Sequence, residues 1–551
     1  PEGVAAAEVL RVGDAQRHAD TAGGSNNGHD QSGRRELGWG GALASFFGLF
    51  SGGFRVLGEA VTYWLPAGST VLRFSTGFSP ALIAAGYLIG IAAGLAVLLG
   101  VVLCWFVVVP WLTMNATPDQ GQTMIALATK LWNTKAKFLG AGAIGISALW
   151  AIVTLAGPII AAIRSQPART RTTTSTTSTT SSSSNASATT RSDETDVDMP
   201  RSWILIIGLI ALSVLFLVVN HFIGQHMTEL STMARYGLSA LCVLFAAVFG
   251  FLVAAACGYM AGLVGSSSSP ISGIGIIATV LMGVSLLGLH SLVPSFESSI
   301  AGNLGVVLVL FMVSVILAMA AISNDNLQDL KTGYLVGATP WRQQIVLIIG
   351  CVVGALVIPP VLDLLYNAYG FAGALPRPDM DPKLALEAPQ ANLMKQIASG
   401  IFTGTLDWSM LGAGVLVGLA VIAADWALRK SERGSLPPLA VGLGIYLPPT
   451  IGVTLTIGAV LGYVIQRAIK SYGERNGKDW TKAAEERGLL LASGLIVGES
   501  LMGLLLAVVI GFSGSNSPLA LVGEGFTAAP WLGLVFFVAL IGIFYRRVLA
   551  K

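Results

Sequence analysis

The sequence has few charged residues. Only 11% of its 551 residues are Asp, Glu, Lys or Arg, although a soluble domain typically contains about 25%. Hydrophobic residues make up 54% of the chain, and apolar runs of eighteen or more residues recur along its whole length. A run of that length can cross a hydrocarbon layer of about 30 Å as a helix. The composition therefore excludes a soluble protein and predicts an all-α, polytopic integral membrane protein.

The sequence also lacks the motifs of nucleotide-driven or hydrolytic proteins. It contains no G-x-x-x-x-G-K-[ST] loop, and the nearest stretch, Gly473 to Lys478, has the wrong spacing. The five histidines form no H-E-x-x-H pair, and the four cysteines show no C-x-x-C spacing. An intramembrane enzyme would need a nucleophile and a base that the sequence does not offer. We therefore expect no enzymatic activity, no cofactor and no bound metal.

The basic residues lie in clusters beside apolar runs and not in one patch that could follow a phosphate backbone. The sequence therefore predicts a lipid bilayer as its surroundings and no nucleic-acid partner. The chain begins at Pro1, without an initiator methionine or a signal-peptide pattern, and we interpret it as incomplete at its front. Its oligomeric state does not follow from the sequence.

The predicted organisation is a short polar N-terminal segment followed by a membrane domain. Residues 1–41 are predicted to hold a helix end and a polar loop, and 42–551 the polytopic domain. The stretch 42–64 contains Arg55 and Glu59 and is predicted as an interfacial or partly buried helix. The Thr/Ser-rich tract 165–199 has too little apolar surface to offset its ordering entropy, so we predict a disordered loop. Membrane spans are predicted at 80–112, 138–163, 203–223, 236–264, 301–322, 345–367, 407–427, 488–512 and 530–546.

One apolar stretch, 262–273, is interrupted by serines, glycines and Pro270. Proline disrupts a helix, and non-helical backbone at membrane depth must lie inside protein or line a wet cavity. Discontinuous helices are where secondary transporters commonly bind substrate. We therefore predict that this stretch faces a cavity, although an ordinary kink or loop is the alternative. The substrate-binding candidates here are Ser266, Ser267, Ser268, Ser269 and Ser272.

A second interruption, at Tyr446 to Pro449, lies within the apolar stretch 437–465. Basic clusters precede and follow this stretch, so the positive-inside rule places both flanks in the cytoplasm. A single span cannot satisfy that placement. We therefore predict a re-entrant hairpin with its tip at Tyr446-Leu447-Pro448-Pro449, where Tyr446 faces the substrate, and a tilted single span is the alternative.

Intramembrane ionisable residues are costly and are candidates for function. Glu499 lies inside an otherwise uncharged predicted span, where it is either a proton carrier or the partner of a buried cation. Glu59, with Arg55 one turn earlier, is interpreted as an internal ion pair. The polar cluster at 324–331 is predicted to close the span 301–322. Glycines at 86, 90 and 94, and at 258 and 262, have the four-residue spacing of close helix packing.

Several motifs resemble those of the oligopeptide transporter superfamily. They occur in the same order as in that family, and the resemblance covers nearly the whole chain. They are Pro1-Glu2-Gly3-Val4-Ala5, Gly265-Ser266-Ser267-Ser268-Ser269-Pro270, Asn326-Leu327-Gln328-Asp329-Leu330-Lys331-Thr332-Gly333-Tyr334-Leu335, Ala388-Pro389-Gln390-Ala391-Asn392-Leu393-Met394 and Gly444-Ile445-Tyr446-Leu447-Pro448. The resemblance is to the prokaryotic branch, which is related to the yellow stripe-like transporters.

The resemblance implies a multi-pass secondary carrier of the cell membrane, plasma or inner, that takes up small peptides with protons. Uptake of metal complexes of small amino-acid chelators, as in the yellow stripe-like branch, is the alternative within transport. Asn324 and Asp329 join the substrate-binding candidates, and Glu2 joins Glu499 as a candidate for proton coupling. The family's opening helices, which precede the P-E-G-V-A element, are absent from this chain.

Overall fold

The chain was analysed as a computed structural model. Its residues group into two compact units. The first unit contains 1–25, 148–357 and 394–406, and the second contains 26–147, 358–393 and 407–551. The structure describes residues 3–4, 6–7, 10–11, 29–68, 70–118, 121–164, 197–227, 230–264, 271–292, 303–378, 380, 385–386, 388–513, 515, 517–523 and 525–550.

The described residues form helices almost throughout, which confirms the predicted fold class. The helices are α1 His29–Gly48, α2 Pro80–Val102, α3 Val109–Met114, α4 Met124–Leu131, α5 Lys137–Arg164, α6 Arg201–His226, α7 Thr232–Val264, α8 Ile271–Leu292, α9 Asn303–Val336, α10 Pro340–Tyr369, α11 Pro389–Thr403, α12 Trp408–Lys430, α13 Pro438–Tyr446, α14 Pro449–Asn476, α15 Lys478–Ser513 and α16 Ala529–Val548. Three short π-helical segments, Leu49–Gly53, Leu103–Val108 and Trp132–Ala136, and two strands, β1 Ala60–Ala67 and β2 Thr70–Gly77, complete the described elements.

Nine helical segments within the described ranges are long and apolar enough to cross a membrane. Eight coincide with predicted spans, and α5 covers the remaining predicted span, 138–163. The ninth crossing segment lies in α14, which the sequence reasoning placed in a hairpin. Length and hydropathy thus located the helices. They did not distinguish a helix that can cross the whole membrane from a half-helix of a hairpin.

The first unit is built around the packing of α7 and α9. Gly258 and Gly262 of α7 face α9, and a Cβ atom at Gly258 would lie 2.7 Å from the Ser323 hydroxyl. That hydroxyl donates to the Ala254 carbonyl at 2.6 Å, which joins the two helices directly. The predicted role of the two glycines in close packing is confirmed. The core of the unit also takes side chains from α6, α8 and α11.

The second unit relies on helices whose backbones touch. A Cβ atom at Gly86 of α2 would lie 2.1 Å from the Leu455 carbonyl of α14, and one at Gly94 would meet Ala459 at 2.3 Å. Without side chains at these points the backbones approach closely, as the four-residue glycine spacing predicts. Gly90 differs, because its φ of +80° and ψ of 169° break α2 and nothing lies within 4 Å of its ideal Cβ. The prediction was therefore right for Gly86 and Gly94 and wrong for Gly90.

A β-hairpin replaces the end of the helix that was predicted over 42–64. The helix continues only to Gly53, and β1 pairs antiparallel with β2 from Ala60 opposite Gly77 to Ala67 opposite Thr70. Half of the residues of β1 are β-branched or aromatic, and Gly68, with φ of +63°, lies in the turn. These features favour a hairpin, but the hydropathy of the segment concealed them.

The interruption after Tyr446 is confirmed as a helix break, but the second arm of the predicted re-entrant hairpin is a helix long enough to cross the membrane. The helix before the break, α13, has 9 residues, whereas α14 resumes at Pro449 and has 28. The second arm therefore runs to Asn476 and not to 465. Pro448 and Pro449 restart the helix at its first turn, where their missing N–H groups cost nothing. The side of the membrane on which each arm begins stays a prediction.

Two further boundaries differ from the predictions. Helix α9 has 34 residues and continues through the polar cluster 324–331 to Val336, so that cluster does not close a span at 322. Residues 165–196 lie outside the described ranges. Residues 197–199 are ordered against the start of α10, because Trp341 N–H donates to the Val197 carbonyl at 3.2 Å and Met199 N–H donates to Gln344 Oε1 at 3.2 Å. The predicted disordered loop therefore does not extend to residue 199.

Candidate functional site

Glu499 lies in α15 and is bound by the N-terminus of α2. Its Oε1 accepts from the Ser79 hydroxyl at 2.7 Å, and its Oε2 accepts from the Ala81 N–H at 2.7 Å. Ser79 is also the N-cap of α2 and accepts from Leu82 N–H at 3.1 Å. A helix N-terminus presents unsatisfied N–H groups and partial positive charge, so it stabilises a carboxylate. This arrangement holds Glu499 by a helix end and a hydroxyl.

The base of the β-hairpin brings Glu59 to the same place. Glu59 immediately precedes β1, and its backbone carbonyl accepts from Phe78 N–H at 2.8 Å. Phe78 is followed by Ser79, the residue that binds Glu499. The preceding residue, Gly58, donates to the Ala529 carbonyl at 2.7 Å, which ties the loop to the start of α16. The hairpin register thus holds Glu59 close enough for its charge to act on Glu499.

Glu59 keeps an exposed surface as a residue, while protein packs around its carboxyl group. Desolvation by that protein raises the pKa of Glu59 above its ordinary value, and the positive charge of Arg55 opposes the shift. Arg55 has φ of +60°, a left-handed conformation that is strained for a side chain of this size and is typical of functional loops. Residues 55–59 are not helical, so the predicted arrangement of Arg55 one helical turn before Glu59 is wrong.

Tyr369, at the end of α10, completes this group. Its hydroxyl donates to the Gly503 carbonyl at 3.1 Å, one turn after Glu499 on α15, and the charge of Glu59 acts on it. We call Arg55, Glu59, Ser79, Tyr369 and Glu499 the carboxylate cluster. It contains two acids, a cation and two hydroxyls, which can bind and release a proton.

In the first unit, two of the sequence motifs and the last turn of α7 meet at Gln328. Its Oε1 accepts from Gly3 N–H at 2.8 Å, and its Nε2 donates to the Ala261 carbonyl at 2.9 Å. Thr332, one turn later, donates to the Gly3 carbonyl at 2.9 Å. A Cβ atom at residue 3 would lie 2.5 Å from the Gln328 carbonyl, so only glycine fits. The D-x-K-T-G-Y-L helix therefore holds the P-E-G-V-A element and the last turn of α7 together.

An open groove of about 480 Å³ lies beside this junction, between α7 and α9. Its wall is mainly apolar, with the hydroxyl groups of Tyr259 and Ser323 as its polar features. The groove is large enough for a small-molecule ligand. Its lining residues are Ala254, Ala255, Gly258, Tyr259, Gly262, Ser323 and Leu327.

We expect Gln328→Ala to lower the free energy of unfolding by about 1–3 kcal/mol, because Gly3 N–H and the Ala261 carbonyl would lose their partner. Thermal unfolding of the purified protein in detergent measures this change. Gln328→Glu keeps the acceptor but loses the donor. Its stability should therefore lie between that of the wild type and that of Gln328→Ala. Gln225→Ala, at an exposed position of α6, is the control, and an equal loss in that variant would contradict the bridging role.

Tyr446, at the end of α13, is buried, with 1% of its surface exposed. Its hydroxyl donates to the carbonyl of Pro389, the second residue of the A-P-Q-A-N-L-M element. The Lys137 ammonium lies 5.6 Å from the centre of its ring and 4.2 Å from the centre of the Trp132 ring. The structure thus places Tyr446, at the helix break, between the A-P-Q-A-N-L-M element and Lys137, which also contacts Trp132. Its role in substrate binding stays a prediction.

The aromatic contacts continue from Trp132 towards the hairpin. The Trp132 ring lies 5.4 Å from that of Trp105, and the Arg73 guanidinium lies 5.0 Å from Trp105 and 5.1 Å from Trp64. Trp105 and Trp132 both belong to π-helical segments, which often occur at functional sites. A series of contacts among aromatic rings and cations thus connects the β-hairpin to the break after Tyr446.

The structure describes the remaining predicted site residues only in part. Asn324 is buried within α9, with 3% of its surface exposed, whereas Asp329 is exposed on the same helix. Ser272 lies in the first turn of α8. The predictions for Glu2 and for Ser266, Ser267, Ser268 and Ser269 fall outside the described residues.

Sequence reasoning missed Glu59 as part of a site, and it missed Ser79 and Gln328 altogether. For Ser79 the signal was present, since Ser-Pro before an apolar run is a helix N-cap followed by proline at N1. Gln328 lies inside a motif whose resemblance was noted, but its partners are 325 and 67 residues away. No spacing rule gives such contacts.

Long apolar helices with two internal breaks and an acid bound inside a crossing helix define a polytopic transporter of the membrane. The profile of the family described as OPT oligopeptide transporter protein matches residues 1–510. The chain belongs to this family. It is therefore a multi-pass membrane transporter and not an enzyme, as the resemblance in the sequence indicated.

Individual relatives agree with this assignment. The chain is 43% identical over 556 residues to a Haemophilus influenzae protein named as an oligopeptide transporter, and the match covers 100% of this chain and 83% of the relative. More distant rice proteins named as metal-nicotianamine transporters match shorter regions. YSL10 is 27% identical over 167 residues, which is 30% of this chain and 24% of the relative, and YSL12 is 26% identical over 210 residues, which is 36% and 26%.

Proposed function

We propose that the chain takes up small peptides across the cell membrane by symport with protons. The observation that carries the proton coupling is the position of Glu499, an acid inside a crossing helix that is bound by Ser79 and by Ala81 N–H. As a carboxylate, Glu499 is held by the N-terminus of α2. When Glu499 becomes a neutral acid, the contacts of that N-terminus change. Protonation can thereby bias the position of α2, which is broken at Gly90.

Peptides are favoured as substrates by the extent of the similarity. The relative named as an oligopeptide transporter matches along the whole chain, whereas the match to each rice relative covers less than half of it. Tyr446, the serines at 266–269 and 272, Asn324 and Asp329 remain the proposed substrate contacts. The groove between α7 and α9 is a further candidate, since small peptides bind through apolar walls and a few polar groups.

Uptake of metal chelates is the second candidate and is supported by the rice relatives. Among the residues that the structure describes, no group of three or more His, Cys, Asp or Glu side chains could hold a metal ion. A chelated metal brings its own ligands, so the two substrate classes make similar demands on the protein.

The test is uptake by the full chain in proteoliposomes. A labelled tripeptide and a labelled iron or nickel complex of nicotianamine are offered separately, with and without an inward proton gradient. We expect the peptide to accumulate only with the gradient. Accumulation of the complex but not of the peptide would replace the proposed substrate. Equal uptake with and without the gradient would remove proton coupling.

A further inference from the structure

The second unit contains a buried arginine whose hydrogen-bond donors have no acceptor in the protein. Arg487, in the third turn of α15, has only 9% of its surface exposed. Its Nε and Nη2 atoms are buried, and neither has a hydrogen-bond partner within the part of the chain that the structure describes. Burying a charged group without acceptors is strongly unfavourable. We therefore expect an acceptor from outside the chain at these two atoms.

The carboxylate that acts on Arg487 through its charge is already bound to another arginine. This carboxylate belongs to Glu36 of α1. Arg547 of α16 binds both of its oxygens, because Nε donates to Oε2 at 2.6 Å and Nη2 donates to Oε1 at 2.8 Å. The Arg547 guanidinium also lies 4.6 Å from the centre of the Trp39 ring, which further fixes its position. Two arginines thus lie near one carboxylate, and only Arg547 is hydrogen-bonded to it.

The pair formed by Arg547 and Glu36 shows which kind of group suits Arg487. Arg547 binds the carboxylate through Nε and Nη2, and the same two atoms of Arg487 have no partner among the described residues. The N–H groups on this edge of a guanidinium form a planar fork that matches two oxygens of a carboxylate or a phosphate. The ligand expected at Arg487 is therefore an oxyanion.

The sequence places this fork at the depth of the lipid headgroups. Charged residues continue in α15 as far as Arg487, and none occurs from Gly488 to Gly498. In α1 no charged residue follows Glu36, and α16 is apolar until Arg546 and Arg547 in its last turn. Such a change from charged to apolar residues marks the boundary between headgroups and hydrocarbon. The oxyanion that a bilayer supplies at this depth is the phosphate of a phospholipid.

We propose that Arg487 binds the phosphate group of an anionic phospholipid, through hydrogen bonds from Nε and Nη2 to two phosphate oxygens. Arg547 lies on the other side of Glu36 and prevents that carboxylate from occupying the fork. The bound phosphate supplies the second negative charge at this point, where two arginines otherwise share one acid. The lipid thereby stabilises the packing of α15 against α1. Lipid binding at this site does not depend on which substrate the protein carries.

The surrounding charges favour a headgroup with net negative charge. Arg35 and Arg546, each next in sequence to a residue of the ion pair, are exposed, and cations at a membrane surface attract anionic lipids. Two acids, Glu485 and Glu486, precede Arg487 and are also exposed, so they weaken this attraction. The specificity of the site therefore depends on the hydrogen bonds of the buried fork.

The experiment is thermal unfolding of the full chain in phosphate-free detergent, with increasing amounts of phosphatidylglycerol, phosphatidylcholine or inorganic phosphate. Phosphatidylglycerol should raise the melting temperature of the wild type more than either of the other two additions. Arg487→Met keeps the apolar stem and removes the charge. We expect it to need about tenfold to a hundredfold more phosphatidylglycerol for half of the rise, because hydrogen bonds between charged groups are lost.

Three further variants or conditions complete the test. Without lipid, Arg487→Met should melt no lower than the wild type, since it removes a buried charge that has no bonded counterion. Arg487→Lys keeps the charge without the fork, so its lipid requirement should lie between those of the wild type and Arg487→Met. Arg546→Gln removes an exposed cation from the same level of the membrane and should respond to phosphatidylglycerol as the wild type does.

An equal response of Arg487→Met and the wild type to phosphatidylglycerol would overturn the proposal. A loss of melting temperature in Arg487→Met that is the same with and without lipid would show that Arg487 is only a structural residue. Inorganic phosphate that reproduces the whole rise would identify a soluble anion as the ligand, and an equal rise with phosphatidylcholine would contradict the choice of an anionic lipid. If Arg487→Met does not fold, Arg487→Lys decides, and an unchanged lipid requirement in that variant would refute binding by the fork.

Discussion

Glu499→Gln should abolish uphill peptide accumulation while peptide exchange across the membrane persists. With an inward gradient of one pH unit, the wild type should reach about tenfold accumulation per coupled proton, since one pH unit corresponds to about 1.36 kcal/mol. The variant should reach a ratio of about one, because no proton-binding group remains at this position of α15. This is the largest functional effect that we expect of any single substitution.

The reason is the chemistry of the side chain at this site. Glutamine has nearly the same shape and can still accept from Ser79 or Ala81, so the contact between α15 and α2 is largely preserved. It cannot alternate between charged and neutral forms. Coupling requires that alternation, whereas substrate exchange requires only that the protein changes conformation with substrate bound.

The measurement is accumulation and counterflow of labelled peptide in the same vesicle preparation. Glu486→Gln is a matched control, since Glu486 lies on the same helix and is exposed. That variant should keep both activities. Full accumulation by Glu499→Gln, with the wild-type dependence on pH, would show that Glu499 is a structural residue.

The sequence predicted most of the crossing helices because their length and hydropathy are local properties. It did not predict where α9 ends, since Asn324 and Asp329 resemble a solvated helix terminus. In the structure Gln328 and Thr332 bind Gly3, and Gln328 also binds Ala261, so the polar turns have partners. Tertiary contacts thus continue a helix that local composition would end.

The candidate site was predicted only in part for the same reason. Glu499 was identified because one acid in an apolar helix is costly wherever its partners lie. Glu59 was interpreted as a local ion pair, because its proximity to Glu499 depends on the hairpin register and on the cap at Ser79. The hairpin itself was missed because hydropathy does not distinguish a strand of aromatic and β-branched residues from a helix of the same residues. The helix break at Pro448 could be predicted directly from the sequence, whereas the break at Gly90 depends on the backbone conformation of one residue.

The backbone contact between α2 and α14 should be intolerant of a single methyl group. Gly86 and Gly458 face each other, and an ideal Cβ would lie 2.1 Å from the Leu455 carbonyl at the first and 2.2 Å from the Ile83 carbonyl at the second. These neighbours are backbone atoms that cannot rotate away, so the helices themselves must separate. We expect Gly86→Ala to destabilise the protein by about 1–3 kcal/mol or more, as overpacking does.

Thermal unfolding of purified variants in detergent tests this expectation, and Gly412→Ala is its matched control. Gly412 is also helical, but nothing lies within 4 Å of its ideal Cβ, so alanine there should stabilise the helix by about 0.5–1 kcal/mol. The two substitutions add the same atom and should act with opposite signs. Once Gly86→Ala has separated the helices, Gly458→Ala meets a wider gap, so the double variant should lose less than the sum of the single losses. Strictly additive losses would mean that the two glycines do not share one contact, and an unchanged melting temperature for Gly86→Ala would show that α2 and α14 do not touch at this point.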